Sequence, residues 1–184
     1  MPNIISASHF TGNIYLPNVQ TSGNAERIRL DAAIAKYEPI YLKALLGYDL
    51  YTLFVAGLTD QTAIYETIRD GGTYTDTADI TQEWLGFDTV GSSPLANFIY
   101  YKHRTDIATD TQGTGEYAGA AENGTRISPA SKMCAAWNEM IEWNQKLHDF
   151  LVDNETDYPE YRYFTGDIDS RYNELFLPVN VFNI

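Results

Sequence analysis

With 184 residues, 44% hydrophobic and 14% aromatic, the chain can bury one sizeable core, is too short for two ordinary domains, and is excluded from overall disorder. Its 25 Asp plus Glu against 12 Lys plus Arg give a net charge of −13, so the surface as a whole cannot be a footprint for nucleic-acid phosphates. The single cysteine, Cys134, cannot close an internal disulfide and points to a reducing compartment, and neither a signal peptide nor a membrane span is recognisable.

Residues 1–23 mix Asn, Ser, Thr, Gly and Pro with scattered Ile, Phe, Tyr and Leu, and read as an extended arm whose apolar side chains need docking. Asn24 caps a first helix, about 24–37, that should turn Ile28, Ala32 and one or both of Ile34 and Ala35 inward. Glu38-Pro39 is expected to stop it, because proline lacks the N–H that an interior position donates. Pro39 then opens a helix to about residue 56. It gathers Tyr41, Leu42, Leu45 and Leu46 before Gly47, a C-cap or kink, and Leu50, Leu53 and Phe54 after it. A short helix follows over 62–70.

Residues 71–93, opening with Gly71-Gly72, read as a loop-rich insertion anchored by Ile80, Trp84, Leu85 and Phe87, at most a helical turn. Ser93-Pro94 is a cap followed by a first-turn proline, which predicts a helix over 94–108 with Leu95, Phe98 and Ile99 inward. Residues 109–127 carry Gly113, Gly115, Gly119 and Gly124 and are too long for an ordinary connection, so either a functional loop or a mobile one is expected, mobile in the free protein and ordered on assembly. Ser128-Pro129 repeats the cap signal and opens a helix to about 153. Met133, Trp137, Met140, Ile141, Leu147 and Leu151 recur along it at spacings of three, four and seven, and Trp143 and Phe150 widen that stripe. An irregular acidic segment starts at Tyr158-Pro159. The chain closes on Leu175, Phe176, Leu177, Val179, Val181, Phe182 and Ile184, kept extended by Pro178. So many apolar side chains must dock, on the chain's own bundle or on a neighbour. The expected architecture is mainly α: a small helical bundle, one domain over 1–184, with a glycine-rich loop and extended arms at 1–23 and 175–184.

Catalytic signatures are missing. Gly113-Thr-Gly115-Glu-Tyr-Ala-Gly119 brushes a dinucleotide fingerprint but lacks the preceding strand and following helix that would aim amides at a pyrophosphate. His9, His103 and His148 stand apart from carboxylates at metal-ligand spacing. Asp167-Ile-Asp169 begins like a calcium loop, then has Tyr172 and Pro178 where the glycine and the bidentate glutamate belong. Neither a nucleophile elbow nor a phosphate loop occurs. No catalytic, cofactor or metal residue is assigned, and an enzyme is not expected. Paired tyrosines, Tyr100-Tyr101 and Tyr161 with Tyr163, suit protein interfaces.

Several segments taken in order carry a resemblance: Tyr37–Tyr51 (YEPIYLKALLGYDLY), Pro94–Arg104 (PLANFIYYKHR), the TGTGE and EN of the glycine loop, the run ISPASKMCAAWNEMIEW from Ile127, and the closing LFLPVNVFNI. From about residue 24 to the end the chain resembles an uncharacterised family of small proteins of tailed bacteriophages and prophages, similar to head-to-tail adaptors, also called connector or head completion proteins. The resemblance implies a structural virion protein at the head–tail junction, made in the cytoplasm of the bacterial host. Its partners would be the portal protein, neighbouring copies in a ring, tail proteins, and DNA passing through the channel without specific binding. No cofactor is implied. The interface residues expected on this plan are the apolar ones of 175–184, with Gly113 and Gly115 of the loop. A different neck or tail-terminator component is the alternative, and an enzyme with a carboxylate site on the loop-rich face a more distant one.

Overall fold

The computed structural model describes residues 3–108, 110–112, 115–117, 129–161 and 174–180. The fold is mainly α: among the described residues five α-helices carry the core and two short hairpins decorate it. Helix α1 spans Ala25–Leu46, with the Asn24 carboxamide accepting the Glu26 N–H at 2.9 Å, as its cap position predicts. It does not stop at Glu38-Pro39. The proline removes one backbone donor, toward the Ala35 carbonyl, but Ala35 and Lys36 lie on the exposed flank, where water can replace the donor. Tyr37, Glu38, Tyr41 and Leu42 on either side are buried and hold the helix across the defect. The break falls instead at Gly47, whose φ of 77° and ψ of 164° are open essentially to glycine alone.

The inward face of α1 keeps the expected Ile34 but departs from expectation at Ile28 and Ala32. Leu30, Ala33, Ile34, Tyr37 and Tyr41 are buried, whereas Ile28 is 60% exposed and Ala32 and Ala35 face out. The stripe through Leu30, Ile34, Tyr37 and Tyr41 buries far more apolar area than one through Ile28, Ala32 and Ala35, and area decides the phase. Helix α2 (Tyr48–Thr59) buries Leu50 and Phe54, and α3 (Ala63–Asp70) buries Ile68.

Residues 71–93 form a hairpin, not a helical turn. Strand β1 (Gly72–Thr75) pairs antiparallel with β2 (Thr81–Trp84), with Thr73 opposite Glu83. The Asp76 carboxylate closes the turn by accepting the Ala78 and Ile80 N–H groups, both at 2.9 Å. Trp84 and Phe87 are fully buried anchors, as predicted, and the Trp84 indole N–H reaches the Ile68 carbonyl at 3.0 Å; Ile80 is exposed and Leu85 only half-buried.

Helix α4 (Pro94–Ala108) starts as its sequence predicts: the Ser93 hydroxyl accepts the Ala96 N–H at 3.2 Å, and Leu95, Phe98 and Ile99 are buried. Within the glycine-rich stretch, β3 (Asp110–Gln112) and β4 (Gly115–Tyr117) form a second antiparallel hairpin; Gly113 and most of the remaining loop lie outside the described residues. Helix α5 (Ala130–Asp153) buries its whole predicted stripe together with Phe150 and Cys134, while Trp143 is half-buried; Ser128 lies outside the described residues.

Helix α4 packs between α1 and α5. Tyr37 meets Phe98 edge-on at 6.4 Å, and Phe98 and Tyr101 lie 6.2 and 4.7 Å from the Trp137 ring. The N-terminal arm is not free. It makes two 3₁₀ turns, Ala7–His9 and Gly12–Ile14, and sinks Ile5, Phe10, Ile14, Leu16 and Val19 into the same core. No helix among the described residues is long and apolar enough to cross a membrane.

Candidate functional site

The predicted interface residues of the C-terminal segment lie against α5 of their own chain over the described stretch 174–180. Leu175 is buried, Phe176 and Val179 are half-buried, and Leu177 is 53% exposed; Val181, Phe182 and Ile184 lie outside the described residues, as does Gly113, while Gly115 opens β4. Three α5 side chains hold the segment by its main chain. The Asn144 amide donates to the Leu175 carbonyl at 2.8 Å, and the Trp137 indole N–H to the Leu177 carbonyl at 3.0 Å. Asn138 makes a two-way pair with Val179, donating to its carbonyl at 3.1 Å and accepting its N–H at 3.0 Å. The carbonyls of 175, 177 and 179 are therefore taken, but the segment is not extended throughout as expected: residues 174–177 turn, with the Leu177 N–H on the Glu174 carbonyl at 3.4 Å, and only 178–180 run free of helix or turn. Asn138 presents the donor and acceptor that a neighbouring strand would.

Asn144 also closes the grip from inside. Its carbonyl oxygen accepts the Tyr41 hydroxyl proton in the core between α1 and α5, and burial pushes the Tyr41 phenol well above its usual range. The sequence carries no motif that marks Asn138. Asn144 had a signal: it stands on the buried stripe between Met140, Ile141 and Leu147, where a polar residue needs a partner.

Of the concave features among the described residues, two are lined by charged side chains of both signs. The larger, about 730 Å³, lies between the β1–β2 hairpin and the C-terminal third of α5, and is lined by Glu83, Asp149, Asp153, Asp76, Lys146 and His148 among others. Tyr74 on its wall is pushed up to about 12, first by burial and then by Asp153, Asp149 and Asp76. The shifted carboxyl here, Asp76, is held below its usual range by the Gln82 amide and the turn N–H groups, so it serves the hairpin turn. The carboxyl pushed upward by burial is Glu38, outside this cleft, where it accepts the Ile4 and Ile5 N–H groups at 2.9 and 3.3 Å and pins the N-terminal arm.

The smaller feature, about 310 Å³, is a notch between α1 and α4 lined by Arg29, Ala32, Ala33, Lys36, His103, Asp106 and Ile107. Lys36 and Asp106 both hydrogen-bond the Tyr37 hydroxyl, at 2.8 and 2.7 Å, and Arg29 lies 3.6 Å from Glu26.

The histidines do not stand alone in the way their sequence positions predict. His9 donates from Nε2 to Asp88, 2.9 Å away and 79 residues on, while its Nδ1 accepts the Ser6 N–H at 3.1 Å. His148 Nδ1 lies 2.9 Å from the Tyr161 hydroxyl. His103 is 97% buried in the notch wall, and no hydrogen bond reaches its ring among the described residues; burial lowers its pKa. Among the described residues no group of three or more His, Cys, Asp and Glu is arranged to hold a metal ion. Comparison with known proteins yields no match: no family model, no curated protein and no solved structure matches this chain.

Proposed function

We propose that this chain is a head-to-tail adaptor of a tailed bacteriophage, a structural protein that joins a ring beneath the portal and extends the DNA channel. The ordered resemblance from Tyr37–Tyr51 to the closing apolar segment supports the family. The structural observation that carries the assembly role is the grip of α5 on residues 175–179. Trp137, Asn138 and Asn144 hold that segment by its main-chain groups, and Leu177 is left outward-facing. Leu177 is one of eight large apolar side chains exposed among the described residues, and on this reading it is the contact that the gripped segment offers to another chain. The acidic balance fits a channel wall past which DNA slides without sticking.

The test is co-expression with the adjacent portal gene product followed by electron microscopy of the purified complex. A ring of this protein stacked on the portal is the expected result. A portal that purifies bare while this chain remains a folded monomer would overturn the proposal.

A further inference from the structure

The start of the N-terminal arm, residues 4–9, is fastened to the bundle by three side chains, and two of them are titratable. Gln20 donates its amide to the Ala7 carbonyl at 2.9 Å and carries no charge. His9, 4% exposed, reaches Asp88 of the segment between β2 and α4 at 2.9 Å, and the Asp88 N–H ties that segment to the Arg69 carbonyl of α3. Glu38 of α1, 3% exposed, accepts the Ile4 N–H on one carboxyl oxygen at 2.9 Å and the Ile5 N–H on the other at 3.3 Å.

Glu38 is the anchor with a cost. Its hydrogen-bond partners are two neutral amides, and among the described residues no lysine or arginine pairs with it. The titratable groups facing it are His9 from the arm, whose Nε2 is already committed to Asp88, and Asp88 itself, a second carboxylate. Ionised, Glu38 is a negative charge taken out of water near a like charge; neutral, it still offers an oxygen to an amide. Ile4 and Ile5 lie on both of its oxygens, so lifting them returns the carboxyl to water.

We propose that residues 4–9 form a strap worked by a single proton on Glu38: the carboxylic acid holds it shut, and the carboxylate lets it lift. The proton comes from solvent and returns to it. Burial is the largest influence on this carboxyl and pushes its pKa above the ordinary 4.5; the two amides and His9 pull it down, and Asp88 adds to the rise. With the strap lifted Glu38 regains the ordinary value, so the shut state binds the proton more tightly. The hold that this proton contributes is fully present below pH 4.5 and is lost as pH rises through the higher value of the shut state. Lifting uncovers the apolar ground beneath Ile5 and Ala7, while the fully buried Phe10 keeps the rest of the arm in place.

Amide hydrogen exchange followed by NMR on the whole chain tests it, each rate being corrected for the intrinsic pH dependence of exchange. Above pH 4.5 the protection of the Ile4 and Ile5 amides should fall up to tenfold per pH unit, the slope of one proton, and then level off. Core amides of α5 are the reference, and a fall that they share equally would be loss of the whole fold and would overturn the strap. Glu38→Gln keeps the shape and cannot ionise, so it should hold both amides at their acid-side protection across the range. Asp88→Asn removes the neighbouring like charge, leaves an oxygen for His9, and should move the fall to lower pH. Protection that is flat in the wild type, that rises with pH, or that falls identically in Glu38→Gln would also overturn the proposal. The wild-type titration decides the matter alone where Glu38→Gln does not fold.

Discussion

Trp137 joins three structural tasks in one side chain: it fills the seam of α5, stacks beside Phe98 and Tyr101 of α4, and donates its indole N–H to the C-terminal segment. Trp137→Ala should therefore cost roughly 3–5 kcal/mol, the range for a large-to-small change in a core that cannot collapse. Chemical denaturation is the measurement, and an unchanged midpoint would refute the packing. His103 acts through pH. Burial lowers its pKa from the ordinary 6.5, so in the unfolded chain it takes up a proton at a pH where the folded chain still refuses one. Its contribution to stability is thus fully present above pH 6.5 and is lost as pH falls through the lower folded value. In His103→Phe the melting temperature should fall less steeply on acidification below pH 6.5 than in the wild type.

At the scale of elements, two positions 8 residues apart should respond in opposite directions. Pro39 sits inside α1 and withholds a donor from the Ala35 carbonyl, so Pro39→Ala should raise the melting temperature. Gly47 ends the same helix at a positive φ with extended ψ, so Gly47→Ala should lower stability by about 1–3 kcal/mol. Thermal unfolding of the two variants beside the wild type checks both signs. These positions also show what the sequence can and cannot carry. Helix α4 is legible because cap, first-turn proline and apolar spacing agree, and the structure keeps all three; in α5 the apolar spacing is kept, while the helix begins at Ala130 with Pro129 at the cap position. Pro39 misled because a local rule met a tertiary context: the buried residues on both sides outweigh one missing hydrogen bond. The β1–β2 hairpin is short and polar on most faces, without the alternation that marks a strand, and its turn depends on the Asp76 carboxylate. The grip on the C-terminal segment is made by side chains 31 to 41 residues away from the backbone they hold, a separation at which no sequence periodicity operates.

For the molecule as a whole, the question is whether the C-terminal segment, which docks on α5 of its own chain, also serves the assembly proposed above. Leu175 is buried, and its carbonyl satisfies Asn144, which in turn holds Tyr41. Deleting 175–184 should thus leave the Asn144 amide and the Trp137 indole N–H without their partners, at about 1–3 kcal/mol for each that stays buried, and lower the melting temperature of the monomer. Deletion alone therefore cannot separate the roles. Leu177 can, because its side chain is half exposed while its carbonyl makes the contact with Trp137. Leu177→Asp keeps every main-chain bond and should shift stability by no more than about 0.5 kcal/mol, as for most surface changes. If the segment is an assembly surface, the same variant should fail to join the portal ring in co-expression, since it places a charge where an apolar contact is required. A Leu177→Asp protein that both melts like the wild type and assembles like it would assign residues 175–179 to the chain's own core alone.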